Sequence, residues 1–341
     1  MSLTRSSLVR FILIGLLVLA FLLTVFFFHE LQRTQQYVAT SSISNHGAAG
    51  ISPGSGFEDP FGKMNSSRQQ AVINQMKSDG VEWLRLDYYP NDSFDYQFIK
   101  DAASAGINVD VLLEDFRATP AEFANFGTQA VHTLKPLGVN TYEILNEVNT
   151  YTPTITAHAI TAPDYVLILK AVYPAIKAAD SSATVLMSGL DSSGKPDIYL
   201  QAMYDAGAKG YFDAVNAHPY SYPDMPAPTH CPPSNAFCHG LPNLYTVMQQ
   251  NGDGNKKIWI TEFGCPTGTD AGRPAACTDT TLAQQITQAF NQARAWGWTG
   301  PLFIFSWQDN KKAGDFGLYH LNGSPKTAAL AAFKRAAFHH N

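Results

Sequence analysis

The chain has 341 residues, of which 45% are hydrophobic and 15% are charged, and its formal net charge is -5. This composition supplies enough apolar side chains for a large folded core and excludes disorder for most of the chain. No block of Lys and Arg residues occurs, which argues against a nucleic-acid partner, because such a partner requires a clustered basic face.

The N-terminal segment predicts a membrane anchor followed by a tether. Residues 11–28 carry no charge and are long enough to span most of a bilayer as a helix. Residues 1–10 contain two arginines and are expected to stay in the cytoplasm, and the polar residues 29–46 are expected to form the tether. A cleaved signal peptide is the alternative, but its apolar region is usually shorter, roughly 7–15 residues. Either interpretation exports residues 47–341 to the periplasm or the extracellular space, as an anchored or a secreted domain.

The four cysteines fall in predicted loops as two local pairs, Cys231 with Cys238 and Cys265 with Cys277. Disulfide bonds within these pairs fit an exported protein. Free thiols or a zinc site are the alternatives, although neither pair has the Cys-x2-Cys spacing of zinc ligands.

From residue 47 onward, strand-like runs alternate with helix-like runs. The predicted strands are 48–53, 81–89, 107–115, 141–146, 184–189, 212–218, 257–263 and 301–307. The predicted helices are 66–78, 94–105, 120–137, 163–179, 196–206, 244–251, 280–296 and 327–338. Eight such units over roughly 290 residues predict a parallel, closed (β/α)8 TIM barrel. An open doubly wound sheet is the alternative, but it usually carries a glycine-rich phosphate turn after its first strand.

Two glutamates stand out at the C-terminal ends of predicted strands, where barrel enzymes place their chemistry. Glu147 ends the fourth strand and Glu262 ends the seventh, nearly opposite around a barrel. Two carboxyl groups that face each other across a cleft indicate glycoside hydrolysis, in which one protonates the leaving oxygen and the other attacks the anomeric carbon. We expect a separation of about 5–5.5 Å between them, the distance in retaining enzymes, and surroundings that separate their pKa values.

Further residues at strand ends are predicted to bind substrate or support the glutamates: Arg85, Asn146, His218, Tyr220 and Trp307. Arg85 would favour the ionised form of Glu262, and Tyr220 would donate a hydrogen bond to the same carboxylate. Asn146 would donate to a sugar 2-hydroxyl. Trp307 would offer a flat platform for a sugar ring.

The motifs Leu145-Asn146-Glu147 and Ile-Thr-Glu-Phe-Gly at 260–264 resemble clan A of the retaining glycoside hydrolases. The resemblance assigns Glu147 as acid/base and Glu262 as nucleophile. It extends to the Arg, His, Tyr and Trp positions named above and covers the whole barrel. Among the clan's members the chain looks most like the cellulase-type family 5 and family 39. One departure is Glu114-Asp115 at the end of the third strand, where many family 5 enzymes carry a His. We therefore do not expect the substrate preferences of family 5 to apply to this chain.

Structural interpretations exist beside these functional ones. Glu262 and Arg85 would also make a buried ion pair, His218 would also satisfy a backbone carbonyl, and Trp307 would also serve as core. Glu143 lies inside the fourth strand and is interpreted as the structural partner of a Lys or Arg.

Strict alternation along a strand would place Asn146 and Glu147 on opposite faces. Both therefore reach the barrel mouth only if the strand ends or bulges there. Several other polar and aromatic residues near strand ends are candidates to line sugar subsites: Tyr88, Tyr89, Glu114, Asp115, Tyr151 and Tyr222.

The sequence thus predicts a monomeric retaining glycosidase that cleaves a polysaccharide or oligosaccharide, without a cofactor or a metal ion. The N-terminal anchor favours internal cleavage of a polymer at the cell envelope. A transglycosylase that uses the same covalent intermediate is one alternative. A non-catalytic carbohydrate-binding barrel is another, although the complete glutamate pair argues against it.

Overall fold

The computed structural model describes residues 49–52, 65–90, 96–150, 160–268, 275–311 and 314–338. For residues 49–52 it describes only the backbone. In the described part of the chain strands and helices alternate. The strands are β1 (Ala49–Ser52), β2 (Trp83–Tyr88), β3 (Asn108–Leu113), β4 (Thr141–Asn146), β5 (Thr184–Asp191), β6 (Ala214–His218), β7 (Ile258–Phe263) and β8 (Thr299–Phe305). The helices are α1 (Ser66–Asp79), α2 (Tyr96–Ser104), α3 (Pro120–Leu134), α4 (Ala162–Ala179), α5 (Pro196–Asp205), α6 (Leu241–Gln250), α7 (Asp279–Ala295) and α8 (Thr327–Phe338).

The strands form one closed barrel in chain order, and every neighbouring pair is parallel. Closure is made by β1, which pairs with β2 on one side and with β8 on the other. The predicted (β/α)8 barrel is therefore confirmed, and the open doubly wound sheet was the wrong alternative because an open sheet would leave β1 or β8 at an edge.

The inside of the barrel changes from apolar to polar toward the C-terminal ends of the strands. At the N-terminal end Trp83 packs edge-on against Trp259, with ring centroids 4.9 Å apart, and both pack against Phe303. Side chains alternate along a strand, so residues two positions further on point inward as well. The apolar layer also contains Leu186 on β5 and Ala214 on β6. Two positions beyond its members on β2, β5, β6 and β7 the residues are polar and buried, namely Arg85, Ser188, Asn216 and Thr261. A polar layer therefore lies directly beneath the barrel mouth.

Most element boundaries differ from the sequence-based prediction by one to three residues, and three of the differences have a clear local reason. The helix predicted over 120–137 ends at Leu134 and continues only as a 3-10 turn, Lys135–Leu137, because Pro136 has no N–H to extend the α-helix. Helix α6 begins at Leu241 rather than 244, since Pro242 fits the first helical turn. Strand β5 runs two residues further than predicted, to Asp191, which pairs with His218.

Both predicted disulfides are formed. Cys231 is bonded to Cys238 and Cys265 to Cys277, each with a Cα–Cα distance of 6.0 Å. The first closes a loop between β6 and α6, and the second closes a loop between β7 and α7. The zinc and free-thiol alternatives are wrong for these residues, because every cysteine is paired.

The predicted anchor 11–28, the cytoplasmic segment 1–10 and the tether 29–46 lie outside the described residues. Among the helices that are described, none combines the length and the apolar character needed to cross a bilayer.

Candidate active site

Glu147 and Glu262 face each other at the mouth of the barrel. One carboxylate oxygen of each, together with a ring nitrogen of His218, lie within 4.8 Å of one another. Retaining glycosidases separate their two carboxyl groups by about 5–5.5 Å, whereas inverting enzymes need about 6.5–9.5 Å to admit a water molecule. The observed spacing suits direct attack by one carboxylate and proton donation by the other.

Glu147 reaches the mouth because β4 loses its regular geometry at its end. Leu145 has φ +60° and Glu147 has φ +47°, a left-handed conformation that residues other than glycine adopt at a cost of about 1–3 kcal/mol and that clusters at functional sites. The Glu147 N–H donates to the Gly189 carbonyl on β5 at 3.1 Å, which holds this conformation. The expectation that the strand must end or bulge here is confirmed.

Arg85 connects the polar layer to the mouth. Its Nε and Nη2 donate to both oxygens of Glu143 at 2.8 and 3.0 Å, its Nη1 donates to Glu262 Oε1 at 2.8 Å, and its Nη2 also donates to Asn146 Oδ1 at 2.9 Å. The guanidinium is planar, so the two-point contact with Glu143 sets the direction in which it meets Glu262. The structural interpretation of Glu143 is confirmed. Because the Asn146 Oδ1 accepts a hydrogen bond from Arg85, the amide hydrogens on Nδ2 remain to donate to a sugar hydroxyl.

Glu262 is surrounded by groups that favour its charge. Burial alone would raise the pKa of this carboxyl, but the charges of His218 and Arg85 and the hydrogen bonds from Tyr220 and Arg85 outweigh burial and hold the pKa below its ordinary value. Tyr220 donates to Glu262 Oε2 at 2.8 Å. Burial and the charge of Glu262 raise the pKa of Tyr220, so its hydroxyl keeps the hydrogen that it donates. Glu262 is therefore ionised at neutral pH.

Glu147 has the opposite environment. Burial and the nearby charge of Glu262 raise the pKa of Glu147 above its ordinary value, although the hydrogen bond and charge of His218 work against them. Its side chain is 25% exposed, against 8% for Glu262, so it is the more accessible of the two from the cleft. Two carboxyl groups with pKa values moved apart are the arrangement in which one acts as an acid and the other as an anion.

The hydrogen bonds behind His218 determine which ring nitrogen carries a hydrogen. The Thr261 backbone N–H donates to Asn216 Oδ1 at 3.3 Å, which fixes the orientation of that amide. The Thr261 hydroxyl donates to the same oxygen at 3.0 Å, since two oxygens at this distance require a hydrogen between them. The Thr261 Oγ1 then has only lone pairs for His218 Nε2 at 3.0 Å, so Nε2 carries a hydrogen.

The other ring nitrogen of His218 meets the candidate acid. Nδ1 lies 3.0 Å from Glu147 Oε1, and with Nε2 already protonated this contact contains a single hydrogen. Either Glu147 donates it to a neutral ring or the imidazolium donates it to the carboxylate. Burial alone would lower the pKa of His218, but the charge of Glu262 and the hydrogen bond and charge of Glu147 raise it. The proton that an acid must deliver is therefore shared by Glu147 Oε1 and His218 Nδ1.

Sequence reasoning missed three residues that support His218. Asn216 and Thr261 orient the ring, and Gly189 makes room for it, because a Cβ at position 189 would lie 2.1 Å from Nε2. Asn216 precedes His218 by two positions and so shares its side of β6, a parity that could have identified it. The contact between Gly189 and His218 has no signal in the sequence.

Trp307 is buried, with 6% of its surface exposed, and its ring lies 4.7 Å from that of Tyr319. Its use as a sugar platform stays a prediction. Tyr222 is 40% exposed and its ring contacts Tyr220 and Phe316 at the barrel mouth. Tyr151 lies outside the described residues.

Glu114, at the end of β3, differs from the other candidate subsite residues because it is buried. Burial and the neighbouring charge of Asp87 raise the pKa of Glu114 to about 8, against a hydrogen bond from Tyr89. It therefore holds a proton at neutral pH, and its use as a sugar ligand stays a prediction. Asp115 accepts a hydrogen bond from the Arg117 N–H at 3.1 Å, and Tyr88 stacks on Phe126.

Among the residues that the structure describes, Glu147, His218 and Glu262 form the one cluster with three potential metal ligands close together. One oxygen of Glu262 is occupied by the Arg85 guanidinium at 2.8 Å, a positive charge that repels a cation. His218 Nδ1 and Glu147 already share a hydrogen. The cluster fits proton transfer and nucleophilic attack better than metal coordination.

The described chain thus defines a (β/α)8 barrel with two unlike carboxyl groups at its C-terminal mouth. Its sequence matches no protein-family model and none of the curated proteins. Among solved structures it is similar to the Bacteroides uniformis β-glucuronidase 2 covalently bound to cyclophellitol-6-carboxylate aziridine, with a TM-score of 0.61, 13% identity and coverage of 86% of this chain and 35% of that one.

Two other similar structures are nearer in length. The GH39 enzyme from Xanthomonas axonopodis pv. citri has a TM-score of 0.61 and 15% identity, over 85% of this chain and 66% of that one. A monomeric β-xylosidase from Caulobacter crescentus CB15 has a TM-score of 0.59 and 15% identity, over 83% and 66%. The chain therefore spans about a third of the glucuronidase and just under two thirds of the other two. At these identities the likeness shows the fold, and family 39, which the sequence motifs resemble, is among these neighbours.

Proposed function

We propose that the chain is a retaining glycoside hydrolase in which Glu262 is the nucleophile and Glu147 is the acid/base. The observation that carries this proposal is the pair of carboxyl groups, whose nearest oxygens lie within 4.8 Å and whose pKa values are moved in opposite directions. The similarity to a β-glucuronidase, a β-xylosidase and a GH39 enzyme supports it.

In the first step the ionised Glu262 attacks the anomeric carbon while the bond to the leaving oxygen breaks. Glu147 transfers its proton to that oxygen, so the leaving sugar departs as a neutral alcohol and a glycosyl ester forms on Glu262. Arg85 and Tyr220 hold the attacking carboxylate in place. The Asn146 amide hydrogens donate to the 2-hydroxyl, a contact that strengthens in the transition state.

In the second step the ionised Glu147 takes a proton from water, and the water oxygen attacks the anomeric carbon. The ester bond breaks, Glu262 is released as a carboxylate and the product keeps the original anomeric configuration. Glu147 ends the cycle protonated. His218, one hydrogen bond away, keeps that proton within the site between turnovers.

The substrate we propose is a polysaccharide that is cleaved internally at the cell envelope, by a monomer held by residues 11–28. A tether of about 18 residues has a typical end-to-end distance of roughly 20–25 Å, so the barrel would act in a thin layer outside the cytoplasmic membrane. That placement suits an exported polymer or a wall glycan. Removal of the apolar segment as a signal peptide would instead give a secreted enzyme.

Incubation of the full-length protein with a panel of polysaccharides tests this function. We expect new reducing ends, early products of intermediate length, and retained anomeric configuration when the first product is followed by NMR. An inverted product would exclude Glu262 as nucleophile. Longer oligomers without new reducing ends would indicate a transglycosylase, and binding without any product would indicate a carbohydrate-binding barrel. Monosaccharide as the only early product would exclude internal cleavage.

Fractionation of cells tests the location separately. We expect the intact chain in the membrane fraction, released by detergent and not by high salt. Intact full-length protein in the soluble fraction would exclude the anchor, and a chain shortened near its N-terminus in the medium would identify a cleaved signal peptide.

A further inference from the structure

Asp110 lies in the middle of β3, inside the barrel and beneath the candidate active site. Its backbone pairs with Arg85 on β2 and with Thr141 on β4. Directly paired residues of neighbouring strands point to the same side of a sheet, and Arg85 belongs to the polar layer inside the barrel. The Asp110 side chain therefore points into the barrel, beside the ion pairs that Arg85 forms.

The carboxyl group of Asp110 is buried without a hydrogen bond. Its exposed fraction is 0%, and neither of its oxygens has a hydrogen-bond partner among the residues that the structure describes. The hydrogen bonds of Arg85 that build the site go to Glu143, Asn146 and Glu262 instead. Proteins pair the large majority of their buried polar side-chain atoms, so a carboxyl group with two unpaired oxygens requires a physical explanation.

The surroundings of Asp110 favour its neutral form. A carboxylate anion without partners is far more costly to bury than a neutral acid. Burial and the charge of Glu143 on β4 raise the pKa of Asp110, and the charge of Arg85 on β2 offsets them only in part. The side chains that face the barrel interior around this layer from β5 to β8 carry no charge: Ser188, Asn216, Thr261 and Phe303.

The charge state of Asp110 affects both the site and the folding of the chain. An ionised Asp110 would add a third anion beside Arg85 and weaken the hold of the guanidinium on Glu262, whereas a neutral Asp110 leaves that charge to Glu143 and Glu262. In the unfolded chain the same carboxyl group meets water and ionises with a pKa of about 3.9. Folding at neutral pH would therefore take up one proton at this position.

We propose that Asp110 is a neutral acid in the folded barrel and that its proton couples the stability of the domain to pH. Because the folded pKa lies above the unfolded one, the stability that this proton contributes is fully present below about pH 4 and is lost as pH rises through the folded pKa. Asp110 therefore makes the domain better suited to mildly acidic than to alkaline surroundings. The coupling is a property of the fold and holds whether or not the chain is a hydrolase.

Urea unfolding of the full-length chain in detergent, followed by tryptophan fluorescence at several pH values, measures this coupling. The variants are Asp110→Asn, which keeps the shape of the neutral acid, and Asp110→Val, which keeps its size without polar atoms. Asp205→Asn is the matched control, because it makes the same replacement at an exposed position at the end of α5. Between about pH 5 and pH 7 we expect the unfolding equilibrium constant of the parent and the control to rise about tenfold more per pH unit than that of the Asp110 variants, the effect of one linked proton. Equal slopes in all of these proteins would overturn the proposal.

Two further outcomes report on the charge of Asp110. A neutral acid without hydrogen bonds has no interaction for a variant to lose, so failure of both Asp110 variants to fold beside a folded control would contradict the proposal. If the chain hydrolyses a substrate, the acid limb of kcat/KM should stay at the same pH in Asp110→Asn, since the charge beside Arg85 is unchanged. An acid limb that moves to lower pH would show that the parent carries an anion at Asp110, because removal of that anion strengthens the hold of Arg85 on Glu262. If the parent hydrolyses nothing, the hydrolase proposal fails and urea unfolding alone decides the role of Asp110.

Discussion

Gly189 lies directly against the ring of His218, so close that a Cβ at position 189 would come within 2.1 Å of Nε2. The ring is buried and is held at both nitrogens, by Glu147 and by Thr261. It therefore has no free direction in which to move, and the glycine is needed for the close approach of strand β5 to the site.

Gly189→Ala should displace His218 and, with it, the proton on Glu147. We expect kcat/KM to fall by about 100-fold or more, the effect of a displacement of about 1 Å in an active site. Gly297→Ala is the control, since a Cβ there would meet no atom within 4 Å. Steady-state kinetics on both variants, with circular dichroism to verify folding, makes the comparison. A Gly189→Ala enzyme as active as the control would show that the position of the ring is unimportant.

Replacement of the two glutamates should separate their roles. Glu262→Ala should lose nearly all turnover on every substrate, because no glycosyl ester can form. Glu147→Ala should lose about 10²–10⁴-fold on substrates with poor leaving groups and much less on activated aryl glycosides, which need no acid. Parallel kinetics on a natural oligosaccharide and an activated aryl glycoside measure this difference. If both variants hydrolyse the aryl glycoside as well as the parent does, the site lies elsewhere.

The pH dependence of kcat/KM should be bell-shaped, and the sign of each limb follows from the pKa shifts. The nucleophile must be ionised, so activity is lost as pH falls through the lowered pKa of Glu262. The acid must be protonated, so activity is lost as pH rises through the raised pKa of Glu147. In Glu147→Gln the alkaline limb should disappear on an activated substrate while the acid limb remains. An alkaline limb that persists in that variant would assign it to another group.

Thr261→Val should weaken the acid without touching the substrate. Without the Thr261 hydroxyl, His218 can carry its hydrogen on Nδ1 and donate it to an ionised Glu147, which lowers the pKa of that carboxyl. We expect about a tenfold loss of kcat/KM on poor leaving groups, the usual effect of one hydrogen bond, and an alkaline limb at lower pH. Thr261→Ser keeps the hydroxyl and should restore both. A loss of activity with an unchanged pH profile would indicate a purely structural role.

The sequence by itself determined the barrel and the two carboxylates. Alternating strand and helix periodicity is a local property, and eight repeats of it are compatible with few architectures. Once the strands were assigned, their C-terminal ends identified Glu147 and Glu262, and the short spacing of the cysteines gave the two disulfide pairs. Each of these inferences depends on residues that are close in the chain.

The tertiary structure decided how the site is held together. Arg85 contacts Glu143, Asn146 and Glu262, which lie 58, 61 and 177 positions away. Such contacts depend on the register of strands around a closed barrel, which no local pattern encodes. The left-handed turn at Glu147 and the hydrogen bonds that orient His218 are likewise set by neighbouring strands. The position of the proton that Glu147 and His218 share depends on these distances and angles. Only the tertiary structure could therefore locate it.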